Sequence, residues 1–437
     1  MIHPVSPSVS TSVSTSVSLS VSLGQARPVA MRRRFTLLLA LCLLVVAGGC
    51  SLFNSSKSSK KKVPEPKATK LTKFDAEVEV KRLWRASVGS GLGRKYVRLQ
   101  PAVVADRVYA ADGFGLVVAH DRFNGERVWK TRIGDADGPG LKFWDRRDAA
   151  FVSGGVGAGG GHVYVGTTRG VVVALSAADG SEVWRIDVGT EVIAPPVYDE
   201  GRVFVQTIDG RLIARESDTG EEIWTFDNPV PILTLRGTAT PVASDGLVYS
   251  GFANGMVVAI KADDGQRLWQ HRVMLPQGRS ELDRMVDVDA SPLLEGPIMY
   301  AVSFQGRLAA IRRADGRPLW ERDASSFLNM AVGLGQLYFI DEEDKILAID
   351  QESAEDSWQQ EGFLRRELGS PVAYSNYVVV GDDAGYLHVL AQSDGRIIGR
   401  KKVDGDGLRS PFIEVDQTLY VVSNGGTLSA YDIRALD

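Results

Sequence analysis

Cysteine is almost missing from this chain. Of 437 residues only Cys42 and Cys50 carry a thiol, so no disulfide framework holds the long stretch that follows them. Histidine is nearly as scarce, and His120, His162, His271 and His388 fall too unevenly along the sequence to read as a metal cluster. No Ser-His-Asp constellation is recognisable. Charge of one sign is lacking too. Fifty Lys and Arg stand against 54 Asp and Glu, a net charge of −4, and the arginines are scattered. Nothing therefore points to nucleic acid. The apolar run Phe35 to Ala47 falls short of the about 20 residues that span a membrane as a helix. Beyond Asp75 helical periodicity is negligible. No metal and no cofactor is implied.

What is present is one pattern, repeated. His162 to Arg185 reads HVYVGTTRGVVVALSAADGSEVWR: an alternating strand, a turn with Gly, an apolar strand, an Asp-Gly turn and a strand ending in Trp. Counted back from Trp184, an aromatic lies at Tyr164, Gly at Gly170, Ala at Ala174 and Gly at Gly180. The same register recurs before Trp129, Trp224, Trp269 and Trp320. Before Trp358 the two glycines are replaced by Asp344 and Ala354; a later unit has Gly399 where Trp is due. A period of about 40–45 residues is the signature of four-stranded propeller blades. The Asp-Gly and Asn-Gly pairs suit hairpin turns that need positive φ. Alanine ten residues before each Trp leaves room, which we assign to a Trp from a neighbouring blade.

Seven complete units run from Ala102 to Arg400, and an eighth has three strands between Ser410 and Tyr431. The missing strand is expected at Glu77 to Arg85, where Trp84 stands with nothing blade-like before it. The fold class is therefore all-β: an eight-bladed β-propeller of four-stranded antiparallel blades, closed by the N-terminal strand. Closure of this kind also removes open sheet edges.

Ahead of the repeats, four segments are expected. Residues 1–30 are low-complexity Ser/Val/Thr, and we read Met31 as the translation start. Residues 31–49 form a signal peptide, with Arg32, Arg33 and Arg34 before the apolar run and Ala47-Gly48-Gly49 before Cys50. An ordinary secretory signal fits this pattern; a lipoprotein signal with Cys50 acylated fits it more closely, because Cys follows the small residues directly. Residues 50–74, rich in Ser, Lys and Pro, form a flexible tether, and residues 75–437 the propeller.

Three consecutive links between blades are long: Ile133 to Ala158, Asn228 to Thr240 and Val273 to Ala290. Strands alternate direction within a blade, so links to the next blade share one face of the ring, and the Asp-Gly hairpins share the other. The long links thus build one patch. In the second, Ile232, Leu233 and Leu235 lie beside Arg236, the composition of a protein-binding hot spot. Alternatively, Leu233 and Leu235 begin the next inner strand and point into the core. The third carries Asp283, Arg284, Asp287 and Asp289. Carboxylates two apart on an extended segment share a face, and they suit a cation, acid/base chemistry, a partner's basic group, or a local pair with Arg236. Gly155 to Gly160 formally matches a phosphate-binding glycine motif, but a strand follows it instead of a helix.

The A-L-x-x-x-x-G-x-x-x-W register resembles the repeats of quinoprotein dehydrogenases and of BamB-like outer-membrane lipoproteins. The lipoprotein signal and the segments LTLRG (Leu233 to Gly237), ELDRMVDVD (Glu281 to Asp289) and GDDAGYLHVL (Gly381 to Leu390) resemble the BamB-like family. That resemblance implies a non-enzymatic scaffold of the β-barrel assembly machinery, a monomer within a complex. It would be lipid-anchored at the periplasmic face of the outer membrane, bind POTRA domains of BamA, and help unfolded outer-membrane β-barrel proteins to fold and insert. The family's contact residues map onto Leu233, Leu235, Arg236, Asp287 and Asp289. Two other readings stand beside it: a quinone-dependent dehydrogenase, which would need a calcium site and a catalytic Asp, and a periplasmic lipoprotein with an unrelated partner.

Overall fold

The computed structural model of the chain describes residues 67–134 and 151–436. The low-complexity segment, the signal peptide, Cys50 and most of the tether lie outside them, as do residues 135–150 of the first long link. Among the described residues there are thirty-two strands and no helix. The strands form eight four-stranded sheets. Blades 1 to 7 span residues 102–132, 152–187, 197–227, 242–272, 293–324, 331–360 and 372–402. Blade 8 combines residues 413–435 with the strand Val78–Ser87, which pairs antiparallel with Thr427–Ala435. Its innermost strand, Ile413–Val415, touches blade 1's innermost strand, Ala102–Val104, and the ring closes there.

The repeated register acquires its meaning from one row of three residues across each blade. In blade 2, Tyr164 pairs with Ala174 and Ala174 with Trp184, and the Tyr164 and Trp184 rings sit 5.9 Å apart. The small Ala side chain lets the two aromatic rings meet over it. The space is thus taken by the blade's own aromatic pair, which corrects the assignment to a neighbouring Trp. Blade 8 builds the same row from both ends of the chain, with Trp84 paired to Ala430 and 6.1 Å from Tyr420.

The indoles join neighbouring blades at their hairpin turns. Each of seven Trp Nε1 groups donates to a main-chain carbonyl of the next blade at 2.7–3.0 Å, from Trp84 to Arg122 through Trp358 to Gln392. In six of the seven the ring lies on that blade's turn glycine; in blade 6 Ala354 stands at that position. Gly180 has φ +76° as the turn chemistry requires, and a methyl group there would also come within 2.6 Å of Trp129. Losing one such Trp would cost about 3–5 kcal/mol.

Blade 7 has no Trp. At Gly399 the void is filled by the N-terminal strand: a methyl group on Gly399 would lie 2.5 Å from Val78 Cγ2. Val78 and Val80 pack with Tyr374, Val389 and Ile398. The chain just before this strand is also held. Thr69 N donates to Leu364 O at 3.0 Å. Arg366 donates to Thr69 O at 3.0 Å and Arg400 to Thr72 O at 3.1 Å. Leu71 packs on the cluster around Phe363 and Leu368, and the Arg400 guanidinium lies 4.8 Å from the Phe74 ring. Residues 67–74, given to the tether by their composition, therefore lie against blades 6 and 7.

Two rims follow. In blade 2 the Asp-Gly hairpin and the first turn share one rim, where Ala177 N donates to Gly161 O. The middle turn shares the other with the link to blade 3, where Val188 N donates to Gly170 O. The links thus gather on one face, as their direction of travel requires.

Candidate functional site

The link from blade 3 to blade 4 is short of strand-forming alternation and has Pro229 and Pro231 near its start. Proline supplies no N–H, so regular pairing is delayed until Val242–Ser244 begins blade 4. Leu233 and Leu235 therefore sit in the loop and do not start the inner strand. Ile232 is fully exposed, Leu233 is 38 % exposed, and Leu235 is half-buried.

This loop is fixed from two sides. Asp287, on the next link, is fully buried and accepts the Leu235 N–H at 2.5 Å. From the preceding link, Glu191 forms an ion pair with the half-exposed Arg236. Arg236 thus pairs with Glu191 and not with Asp287 or Asp289, against the local pairing considered from sequence. The loop turns tightly after Leu235, with Gly237 N bonded to Leu235 O at 2.8 Å. Glycine is needed at 237, since a methyl group there would lie 2.4 Å from Asp289 Oδ2.

The two carboxylates do share a face, and both turn toward the loop. Burial pushes Asp287 up to about 6. Burial, followed by the charge of Asp287, pushes Asp289 up to about 8. Asp289 keeps an opening toward the central channel, although protein surrounds it on the other sides. Each has one oxygen without a hydrogen-bond partner. Asp287 holds the loop through the Leu235 main chain.

The third link divides in two. Its first half is exposed: Leu275 and Leu282 present apolar side chains to solvent, and Ser280 and Asp283 cap a turn through reciprocal 3.1 Å hydrogen bonds. Arg284 lies 3.7 Å from Glu281 on this exposed turn. The second half, Met285 to Val288, is buried, with Val288 N bonded to Phe252 O and Phe304 N to Asp287 O. The middle turn of blade 4 lies between the two links: the Asn254 side chain donates to Pro229 O at 2.9 Å, and Val273 N, at the start of the third link, donates to Gly255 O at 2.9 Å. The result is one apolar-and-basic patch on the link rim. Sequence reasoning did not find Glu191 or Asn254, since neither stands in a motif; only their placement beside these links marks them.

The first link contributes differently from its sequence expectation. Its last residues form an inner strand, Val152–Gly159. The glycines there admit blade 3: a methyl group on Gly157 would lie 1.8 Å from Pro196 O. That close approach accounts for the glycine run without any phosphate. Among the described residues no group of three or more His, Cys, Asp and Glu could hold a metal ion.

The family profile described as outer membrane protein assembly factor BamB matches residues 135–360 and 361–437. The chain belongs to the BamB family. BamB of Pseudomonas aeruginosa is 42 % identical over 91 % of this chain and 98 % of its own length. The crystal structure of BamB from Moraxella catarrhalis superposes with a TM-score of 0.72 at 25 % identity, covering 81 % of this chain and all of that one. A quinohemoprotein alcohol dehydrogenase from Comamonas testosteroni shares the fold, with a TM-score of 0.63 at 16 % identity, covering 80 % of this chain and 76 % of its own. Fold alone does not carry activity. BamB-family proteins are outer-membrane assembly factors, and the chain is accordingly an assembly factor associated with the outer membrane and not an enzyme.

Proposed function

We propose that this chain is a lipid-anchored scaffold of the β-barrel assembly machinery that docks the POTRA domains of BamA on its link rim. Cys50 carries the acyl chains and keeps the propeller at the periplasmic face of the outer membrane. Leu233 and Leu235 are the apolar anchors. Arg236 makes a charge-assisted contact with the partner, while Asp287 and Asp289 shape the loop from behind. Docked there, the chain assists the folding and insertion of outer-membrane β-barrel proteins.

One observation carries this reading: Ile232 and Leu233 stand toward solvent, and Leu235 in part, on a loop whose main chain is pinned by a buried carboxylate. Ordering a flexible loop on binding costs about 0.5–1.5 kcal/mol per immobilised side chain. A loop already fixed avoids much of that cost. Exposed apolar residues held so firmly serve an interface better than they serve the fold, because they bury nothing within it.

The test is capture of a purified POTRA array by the immobilised chain. Replacing Leu233, Leu235 and Arg236 together by Ala is expected to lower capture at least tenfold with an unchanged circular dichroism spectrum. Leu233→Asp alone, at an exposed position, should do much the same without touching the core. Full capture by both variants would overturn the assignment.

A further inference from the structure

The mouth of the central channel on the link rim is a cavity of about 310 Å³, ringed by the residues that lead into the innermost strands. Arg98 and Arg236 line it, Arg409 stands over the lining Tyr96, and their surroundings differ. Arg236 is neutralised by Glu191. Arg409 is neutralised by Asp383 at 3.2 Å and lies 4.0 Å over the Tyr96 ring. Arg98 lines the cavity, and among the described residues no carboxylate lies within ion-pair distance of it; its Nε is buried without a hydrogen-bond partner. Its guanidinium lies 5.0 Å over the Phe327 ring. A guanidinium cannot shed its charge in a protein, and an unpaired buried cation is costly.

The nearest acid relieves this only in part. Asp289 borders the same cavity, with one oxygen unpartnered. Burial and the neighbouring Asp287 push it up to about 8 against the pull of Arg98, and its protonated form offers a hydrogen-bond donor instead of a counter-charge. Asn329 also lines the cavity. Its Oδ1 accepts the Ser291 N–H at 2.9 Å, leaving its amide nitrogen to donate. The remaining wall is largely apolar, with Val97, Ile193, Pro195 and Phe327. A cation, two neutral donors and an aromatic wall in one concave space form a recognisable combination.

We infer that the channel mouth binds a carboxylate borne on a compact apolar body, with Arg98 taking the carboxylate and Phe327 packing against the apolar part. Free small organic acids and the C-terminal residue of a polypeptide share this chemistry. The cavity shares Leu235, Arg236 and Asp289 with the docking loop and its support, but its test stands apart from the POTRA reading: Arg98 belongs to no part of the exposed loop, and ligand titration does not involve BamA.

The test uses the detergent-solubilised full chain in isothermal titration calorimetry. The probes are 3-phenylpropionate and its uncharged amide, and the tripeptide Gly-Gly-Phe with a free or an amidated C-terminus. The acid is expected to bind at least tenfold more tightly than the amide, and Arg98→Gln to remove that preference with an unchanged thermal melt. A preference for the free tripeptide over its amidated form assigns the site to chain ends as well; binding of 3-phenylpropionate alone assigns it to small acids. Equal binding of acid and amide by the unaltered protein, or no binding by any probe, overturns the inference whether or not the Arg98→Gln variant folds.

Discussion

Asp287→Ala separates the stability of the ring from the shape of its docking loop. In the folded chain burial raises Asp287 from 3.8 to about 6. At about 1.36 kcal/mol per pH unit this amounts to roughly 3 kcal/mol. The sign follows from proton linkage. A folded-state value above the unfolded one means that the native chain binds the proton more tightly. The contribution is fully present below the unfolded value, near 3.8, and is lost as pH rises through about 6. Alanine removes that loss, and it also removes the charge that helps to raise Asp289. Against this, the Leu235 N–H loses its acceptor, at about 1–3 kcal/mol. The parent has already lost about 1 kcal/mol of that contribution at pH 4.5, so the variant should be less stable than the parent there by up to about 2 kcal/mol, and equal or more stable at pH 8. Urea titrations followed by tryptophan fluorescence at the two pH values measure this. POTRA capture at pH 8 should nonetheless fall, because the loop is released. A stability difference identical at both pH values would refute the electrostatic reasoning, and full capture at pH 8 would refute the role given to the loop.

Three further substitutions probe the ring. Ala354 holds φ 61° where other blades have glycine, so Ala354→Gly should stabilise by up to about 1 kcal/mol, the relief of left-handed strain less the entropy of glycine. Gly316→Ala, at φ +72° and 2.6 Å from Trp269, should instead cost roughly 2–4 kcal/mol from strain and overpacking, both read as shifts in the urea midpoint. Gly399→Ala drives a methyl group against Val78 and should loosen the closing strand by about 1–3 kcal/mol, seen as faster hydrogen exchange at residues 78–80 with little change in blades 2 to 5.

The ring was legible because its information is local. The spacing from Tyr164 to Trp184, the Asp179-Gly180 turn and the orphan Trp84 together specify blade, turn and closure, and pairing of Val78–Ser87 with Thr427–Ala435 follows. The rim assignment needed only strand direction. Contacts between unlike segments carry no period and were not legible. The Glu191 partner of Arg236 lies 45 residues away in sequence. Thr69 and Leu71 look like tether by composition, and only the positions of Arg366 and Phe363 show why they lie on the propeller. The paired spacing of Asp287 and Asp289 correctly put them on one face, but spacing does not reveal which neighbour they meet. Leu233 and Leu235 fitted strand or loop until Val242 was seen to begin the sheet.

The division of labour between the two rims explains how one propeller serves both dehydrogenases and assembly factors. The carbonyls that receive the indoles belong to residues such as Ala177, Ser217 and Ala262, all in the hairpins that carry the turn glycine. Adjacent blades are thus fastened toward the hairpin rim, where each turn glycine admits an indole. The links on the opposite rim are relieved of that task, so they can lengthen and display leucines without opening the ring. Loop closure favours this, since doubling a surface loop costs only about 0.6 kcal/mol, whereas one lost indole costs about 3–5 kcal/mol. Variation should therefore accumulate on the links, and a buried carboxylate such as Asp287 is tolerated there because it fixes the loop that the rim displays.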